Sequence, residues 1–396
     1  MPAWRLTRPL ELSCFALCVA NTVYLASSFI QGSWLIGPDG HAIATDFVSV
    51  WTGGQHVLEG QPQAAYDLSL HKAAEEAAVG HPFEGEYPWV YPPTFLLVAT
   101  LLALLPYIPA QLTWMLLTFP AYVAAIHGII RDRSSILLAC AFPGIVANFV
   151  VGQNGFLTAA LVGGLLICME RRPLLAGCFL GLLSSKPHLG VLIPIVLLVS
   201  GHLRIIAAAA VTTALLAIAS AAVFGIAPWE AFLHALASTS QAALSDGRAD
   251  WAKLQSAFGL VRMLGGGESV AWVIQGTLSG SVAILLCALW RSRASFDLKA
   301  AGLASGILLA TPYIFLYDFV VLAVAMAFLL REGQSRGARS GEMLGLASAA
   351  MLVLIFPLVT APVGFLAALI VAALIARRAI FHAGPNRAME ARLSAR

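Results

Sequence analysis

The chain has 396 residues, of which 59% are hydrophobic and only 11% are charged, and its formal net charge is +3. Soluble domains carry about 25% charged residues, so this composition excludes a soluble globular protein and indicates a multi-pass membrane protein, for which no nucleic-acid partner is expected. The six cysteines all lie in apolar stretches, which indicates neither a disulfide framework nor a metal cluster.

Apolar stretches recur from Leu12 to the pair Arg377-Arg378, and about 20 apolar residues suffice to cross a hydrocarbon core of roughly 30 Å. We therefore predict an all-α, polytopic membrane domain of about 11–13 transmembrane helices over residues 1–380. Arg5 and Arg8 precede the first span and predict a cytoplasmic amino terminus. A cleaved signal peptide is the alternative, but many spans follow and no Ala-x-Ala site is evident.

The first crossing, Leu12 to Ile36, leads to a first extracytoplasmic loop over residues 37–92. Residues 37–91 contain eight acids, four histidines and a single basic residue, Lys72, so this segment does not lie in lipid. Helices are predicted over Phe47 to Leu58, with Asp46 as the N-cap, and near Leu68 to Val79.

Between residues 94 and 170, four apolar pieces are available for an odd number of crossings, so we expect three crossings and one half-helix or interfacial helix. Leu174 to Ser184 and Leu189 to Val199 are short for full spans. They resemble broken helices around Ser185 to His188, which membranes tolerate only against protein or a water-filled cavity.

A second extracytoplasmic loop is predicted over residues 229–268. After a return span, the aromatic segment Thr311 to Phe319 interrupts an apolar stretch, and a final hairpin runs from Met343 to Ala376. Residues 381–396 form a basic cytoplasmic tail, predicted to be disordered or to lie on the anionic inner leaflet. Both termini are expected in the cytoplasm, and the basic turns place the protein across the plasma (inner) membrane.

Asp46 is the strongest candidate for chemistry. Capping alone explains an aspartate before an amphipathic helix. Phe47 and Trp51, however, share one helix face with i, i+4 spacing, and Gly53 and Gly54 leave room for a bulky group beside them. A carboxylate beside an aromatic wall suits a sugar acceptor. One such base suffices when the leaving group is a phosphate, which departs without a general acid.

Lys186 and Asp318 are ionisable residues in apolar surroundings. A charge at the centre of a membrane helix costs about 2.5–3.5 kcal/mol on insertion scales, so each requires a partner or a cavity. Lys186, next to Pro187 and His188, suits a lipid phosphate; the alternative is a lysine whose ammonium reaches the interface from a span end. Pairing with Lys186 is the structural alternative for Asp318. Gly-Gln-Asn-Gly around Gln153 also reads simply as a turn.

Together these motifs resemble glycosyltransferase family 87, the polyprenyl-phosphate-mannose-dependent mannosyltransferases with the GT-C architecture. The resemblance runs in order along most of the chain, through Asp46-Phe47 with Trp51, Gly60-Gln61-Pro62, Tyr66-Asp67, Tyr91-Pro92-Pro93, Gly152-Gln153-Asn154, Lys186-Pro187-His188, Thr311-Pro312-Tyr313 and Tyr317-Asp318. The chain departs from that pattern at Tyr317-Asp318, where mycobacterial members have a Trp-x-His-His-like element. This departure leaves the sugar and the acceptor open.

The resemblance implies an inverting transfer of a hexose, mannose by family expectation, from a polyprenyl-phosphate donor to a lipid or glycan acceptor at the extracytoplasmic face. It carries the role of catalytic base to Asp46 and places Lys186 and His188 near the donor phosphate. The other substrate-binding candidates are Phe47, Trp51, Tyr91, Gln153, Asn154, Tyr313, Tyr317 and Asp318. The donor is a co-substrate, no cofactor is expected and no metal ligands are assigned; a divalent-metal requirement and the oligomeric state stay open.

Two alternatives remain. A transporter or flippase would use Lys186 and Asp318 to line a translocation path, but the acidic outer loop and the absence of visible repeats favour the enzyme. A glycan polymerase or ligase is expected to have arginine-rich outer loops instead. The enzyme interpretation further predicts one deep outward-facing cavity with Asp46 at its mouth and a lipid groove that reaches Lys186.

Overall fold

The structure, a computed structural model, describes residues 8–247 and 250–394. Within those ranges the secondary structure is helical and contains no β-strand; two isolated bridges join Ile36 to Trp34 and to Ala42. The all-α, multi-pass prediction is confirmed. The predicted orientation signal at Arg5 lies outside the described residues.

The first half of the chain forms the predicted first loop, residues 37–92, and the helices that surround it. Its helices are α1 (Arg8–Ile30), α2 (Phe47–Leu58), α3 (Leu68–Val79), α4 (Leu96–Ala103), α5 (Tyr107–Ile130), α6 (Ser134–Ala141), α7 (Gly144–Val151), α8 (Gly155–Cys168), α9 (Pro173–Leu182), α10 (Pro187–Gly190) and α11 (Leu192–Val199).

The second half supplies longer helices and the final hairpin. Its helices are α12 (Leu203–Phe224), α13 (Ala227–Ser240), α14 (Ala257–Met263), α15 (Glu268–Arg291), α16 (Phe296–Ala310), α17 (Val320–Arg336), α18 (Glu342–Leu354), α19 (Phe356–Val359) and α20 (Val363–Ser394). The backbone of α20 is helical through most of the segment that was predicted as a tail.

The two helices of the first loop, α2 and α3, have the predicted bounds. Asp67 caps α3, because its carboxylate accepts hydrogen bonds from the backbone N–H groups of Ser69 and Leu70, both at 3.0 Å. Gly80 ends the helix with a φ of +85°, a conformation that favours glycine. Local capping residues in the sequence therefore determine both ends of α3.

Within the described residues, five helices are long and apolar enough to cross a membrane, or six if α6 and α7, which meet at a bend of 60°, count as one span. This is fewer than the predicted 11–13. The remaining apolar pieces are helices of only 10–17 residues, as expected for α9 to α11, or broken ones such as α6–α7, which part at Pro143. The number of crossings stays a prediction.

The predicted second loop, residues 229–268, contains more helix than expected. It contains α13, a π-helical turn over Gln241–Ser245, and α14. The apolar residues Leu233 and Leu236 of α13 are exposed, so this helix has an apolar face that is compatible with the membrane surface. The sequence of this segment predicts a loop because few of its residues are strongly apolar.

The helices α16 and α17 form the centre of the molecule, and both are largely buried. They are joined by residues 311–319, which lack regular helix except for a 3₁₀ turn over Leu316–Phe319. This linker meets the amino-terminal end of α8, and the first loop packs on the same side through α2. Residues far apart in the sequence are thereby brought to one place.

Candidate functional site

Asp46 occupies the N-cap position of α2, but its side chain caps nothing. Its backbone has φ −53° and ψ −23°, already helical rather than the extended conformation of a capping residue. The carboxylate oxygen Oδ2 instead accepts a hydrogen bond from Nε2 of Gln153 at 3.3 Å. The capping explanation of Asp46 therefore does not account for its side chain.

Gln153 links Asp46 to Tyr91. The hydroxyl of Tyr91 donates to Oε1 of Gln153 at 2.9 Å, and the backbone N–H of Asn154 donates to the same oxygen at 3.1 Å. Because Oε1 accepts both bonds, the amide nitrogen is directed at Asp46. Tyr91, Gln153 and Asn154 are all buried, so the position of the Asp46 carboxylate is determined by an ordered internal network.

The glycines of the Gly152-Gln153-Asn154-Gly155 turn permit close approach of other segments. Gly152 has a φ of +70°, and a Cβ there would lie 2.6 Å from Cβ of Phe47. A Cβ on Gly155 would lie 2.1 Å from the carbonyl oxygen of Tyr317. The motif is therefore a turn, as the alternative interpretation predicts. It also brings α2 into contact with the segment that carries Tyr317.

The electrostatic environment of Asp46 favours a proton acceptor that works near neutral pH. Its surroundings raise the pKa of Asp46 from 3.8 to about 6, because burial disfavours the charged form. The hydrogen bond from Gln153 and the positive charges of Lys186 and Lys253 act in the opposite direction. At pH 7 most of the carboxylate is ionised and able to accept a proton.

Lys186 and Asp318 form a buried ion pair. Nζ of Lys186 lies 2.5 Å from Oδ1 of Asp318, and the two side chains are 5% and 2% exposed. Oδ2 of Asp318 also accepts a hydrogen bond from the backbone N–H of Phe315 at 3.3 Å. The burial of Lys186 contradicts the alternative of a lysine that reaches the interface, and the pairing alternative for Asp318 is the arrangement observed.

Aromatic side chains surround this pair. The ammonium group of Lys186 lies 5.0 Å from the ring centroid of Tyr317, and Tyr317 stacks on Phe315. The ring of Tyr313 meets His188 edge-on at 5.9 Å. His188 and Lys186 flank Pro187, which begins α10. The two motifs at residues 186–188 and 313–318 are thus in contact.

Phe47 and Trp51 have packing roles in this conformation, which differs from the expected aromatic wall beside a ligand. Phe47 is fully buried, and both rings pack on Tyr107, at 5.9 and 6.1 Å between centroids. Trp51 donates its indole N–H to the carbonyl of Leu105 at 2.8 Å. The aromatic side chains therefore hold α2 against α5.

The space expected beside Gly53 and Gly54 is filled by protein. A Cβ on Gly53 would meet the ring of Trp89 at 2.6 Å, and one on Gly54 would meet the carbonyl oxygen of Ala99 at 2.2 Å. These glycines allow α2 to pack closely on α4, so the expectation that they leave room for a bulky group is wrong. The reason is that the space left by the missing side chains is occupied by neighbouring protein segments.

A second buried polar cluster supports α2 from α3. Nε2 of His71 lies 3.1 Å from the hydroxyl of Ser49 and 3.5 Å from a carboxylate oxygen of Glu75. Burial lowers the pKa of His71 to about 3 and raises the pKa of Glu75 to about 8. Both groups are therefore predominantly neutral at pH 7. Apart from the residue types, no sequence pattern indicated this cluster.

A cavity of about 490 Å³ lies between the first loop and α13, and its lining does not include Asp46. It therefore differs from the expected deep cavity with Asp46 at its mouth. Its lining residues are Gln61, Gln63, Ala64, Tyr66, Asp67, Leu70, Ala231, His234, Ala235 and Ser238. Tyr66 nevertheless connects it to the Asp46 network, because its hydroxyl donates to the carbonyl oxygen of Tyr91 at 3.0 Å.

Lys253 is a charged residue near Asp46 that the sequence reading left among the balanced charges of the second loop. Its side chain is exposed, and its charge acts on Asp46. In the part of the chain that the structure describes, no three His, Cys, Asp or Glu residues are arranged to hold a metal ion.

Comparison with known proteins gives one family. The sequence model of glycosyltransferase family 87 matches residues 89–312. No curated protein and no solved structure matches the chain. The matched region contains Tyr91, Gln153, Asn154, Lys186 and His188, whereas Asp46 lies before it and Tyr313 to Asp318 lies after it.

Proposed function

The chain belongs to glycosyltransferase family 87, and from this membership we propose that it transfers a hexose, which we take to be mannose, from a polyprenyl-phosphate donor to a lipid or glycan acceptor. The protein is a membrane glycosyltransferase; the sugar, the donor and the face of the membrane are parts of the proposal. We propose the GT-C architecture, with the site on the extracytoplasmic face of the plasma membrane and both termini in the cytoplasm.

Asp46 acts as the general base. The acceptor hydroxyl gives its proton to the carboxylate while its oxygen forms a bond to the anomeric carbon of the donor sugar. The bond from that carbon to the phosphate oxygen breaks at the same time, and the electron pair leaves with the polyprenyl phosphate. Attack from the face opposite the phosphate inverts the configuration, and no general acid is required because phosphate is a stable leaving group.

The observation that carries this assignment is the Asp46 carboxylate itself. It caps no helix, it is oriented by Gln153, and its pKa of about 6 suits a base near neutral pH. A group positioned by a buried network needs little reorganisation when substrate binds. A purely structural aspartate at this position would use its oxygens to satisfy the backbone of α2.

Lys186 and His188 remain the proposed donor-phosphate contacts. The ammonium group of lysine has three N–H donors, and Asp318 accepts one of them, so two donors are left for an incoming phosphate. Tyr313 and Tyr317 line the same place. The open cavity beside Tyr66 is the proposed entrance for an acceptor, because hydrogen bonds from Tyr66 to Tyr91 and from Tyr91 to Gln153 connect its lining to the Asp46 network.

A transporter would also accommodate the buried pair of Lys186 and Asp318, but family membership supports transfer chemistry. The test is the donor requirement. Membranes that contain the protein are incubated with radiolabelled polyprenyl-phosphate mannose or with a nucleotide-linked mannose, and label in lipid and glycan fractions is counted. Label from the lipid-phosphate donor alone supports the proposal. Label from the nucleotide donor alone contradicts it.

A further inference from the structure

The buried pair of Lys186 and Asp318 leaves the site short of positive charge for its donor. Lys186 contributes one positive charge and Asp318 one negative charge, so the pair is electrically balanced. Asp46 adds a negative charge whenever it acts as a base. A sugar phosphodiester carries one further negative charge and becomes a more highly charged phosphate on release. A second cation near Asp46 would therefore stabilise the donor and the leaving group.

Lys253 is the candidate for that cation, because the residues that follow it are hydrogen-bonded to Pro312 and Ile314, in the segment that carries Asp318. It is exposed, and among the residues that the structure describes no carboxylate lies within ion-pair distance of its ammonium group. Its charge acts on Asp46. Exposed lysines commonly move freely, so the question is whether the backbone at Lys253 is held in a defined place.

The backbone around Lys253 is fixed to the site by Gln255. The side-chain amide of Gln255 donates to the carbonyl oxygen of Lys253 at 3.1 Å, and its Oε1 accepts from the backbone N–H of Gly364 at 2.8 Å. The backbone N–H of Gln255 donates to the carbonyl oxygen of Ile314 at 2.8 Å. Gln255 is fully buried, so these bonds are shielded from water.

Adjacent residues strengthen this attachment. The hydroxyl of Ser256 donates to the carbonyl oxygen of Pro312 at 2.8 Å. Leu254 is fully buried in a small apolar cluster against which Tyr313 and Phe315 pack. Leu254, Gln255 and Ser256, the three residues that follow Lys253, thus contact the segment that also carries Asp318. The backbone from which the Lys253 side chain extends is therefore held in a defined place beside the site.

We propose that Lys253 binds the phosphate of the lipid-linked donor and of the polyprenyl phosphate that leaves. This inference rests on the proposed function, since it assumes a lipid phosphate as ligand. The ammonium group acts as a point charge, while Lys186, held by Asp318, acts from within the protein. The second loop thereby takes part in donor binding and is not only a connection between α12 and α15.

The test measures binding of a short-chain polyprenyl monophosphate to the purified full-length protein in detergent, with the polyprenol of equal length as the reference ligand. Lys253→Ala is compared with Lys253→Arg, which keeps the charge. Lys299→Ala is the matched control, because it removes the same charge near the opposite end of α16. Thermal unfolding of each variant checks that the substitutions at exposed Lys253 and half-buried Lys299 leave the fold intact.

We expect Lys253→Ala to weaken phosphate binding about tenfold or more, a typical loss for a charge-assisted contact. Lys253→Arg and Lys299→Ala stay within about threefold of wild type, and polyprenol binding is unchanged in all variants. Equal phosphate affinity in wild type and Lys253→Ala overturns the role of Lys253 and leaves the proposed function standing. A wild type that binds phosphate and polyprenol equally well overturns both.

Discussion

Replacement of Asp46 by asparagine separates catalysis from stability at this position. Asparagine has the same shape and still accepts the hydrogen bond from Gln153, but it takes no proton from the acceptor. General-base catalysis typically contributes 10²–10⁴-fold, so we expect the transfer rate of Asp46→Asn to fall at least about 100-fold. Membranes with equal amounts of wild type and variant are compared under initial-rate conditions.

The same substitution is expected to stabilise the fold. The rise in the pKa of Asp46 from 3.8 to about 6 corresponds to an ionisation cost on the order of 3 kcal/mol. Since the folded protein binds this proton more tightly than the unfolded chain, the stability from protonated Asp46 is present below about pH 4 and is lost as the pH rises through 6. Asp46→Asn therefore unfolds at a higher temperature than wild type at pH 7.5, and at nearly the same temperature at pH 4.

The pH dependence of transfer completes this prediction. Because the active form is the carboxylate, the wild-type rate should rise about tenfold between pH 5 and pH 7 and then level off. The variant Gln153→Ala lacks the hydrogen bond to Asp46, so the midpoint of its pH profile moves to higher pH. The control is Gln55→Ala, a substitution in α2, the helix that follows Asp46, and it does not move the midpoint. A flat profile from pH 5 to 7, together with full activity of Asp46→Asn, would refute the reasoning.

Three further sets of variants test the architecture of the site by thermal unfolding in detergent. Lys186→Met or Asp318→Asn leaves one buried charge or polar partner unmatched and should lower the free energy of unfolding by about 3–5 kcal/mol. The double variant Lys186→Met/Asp318→Leu should recover most of that loss. Equal stability of all three variants would contradict a buried pair. Gly155→Ala places a methyl group 2.1 Å from a backbone carbonyl oxygen and should cost roughly 1–3 kcal/mol, while Gly190→Ala, with nothing within 4 Å, should not. Asp67→Ala removes the cap of α3 and should cost about 1 kcal/mol, an expectation that an unchanged unfolding temperature would disprove.

The sequence was sufficient where a local rule determines the structure. The bounds of α2 and α3 follow from amphipathic spacing, from the cap at Asp67 and from the glycine at position 80. The break around Ser185 to His188 follows from the short apolar pieces on either side. The buried charges at Lys186 and Asp318 were recognisable because an unpartnered ion is costly in an apolar environment.

The sequence was insufficient where the outcome depends on tertiary packing. Gly53 and Gly54 were compatible with a ligand or with a neighbouring helix, and only the position of α4 decides for the helix. Phe47 shares a face with Trp51, as the spacing requires, but that face meets Tyr107. Lys253 had no local signal, because its proximity to Asp46 depends on contacts with residues more than fifty positions away.

The shapes of the shorter apolar pieces were also beyond the sequence. Apolar runs were counted as spans, yet several of them form short or bent helices, as at α6 and α7. Breaks at proline and glycine are visible in a sequence, but the resulting angle is not. The bend of 60° is a consequence of how the two pieces pack against their neighbours.

The most direct test of the central claim is a single-turnover reaction with purified protein in lipid vesicles. Doubly labelled polyprenyl-phosphate mannose is supplied with a lipid extract as acceptor, and both products are measured over time. The account predicts that wild type releases one polyprenyl phosphate for each mannose transferred, and that Asp46→Asn binds the donor but transfers mannose at least about 100-fold more slowly. Transfer by Asp46→Asn at the wild-type rate, or failure of wild type to use this donor, would contradict the account.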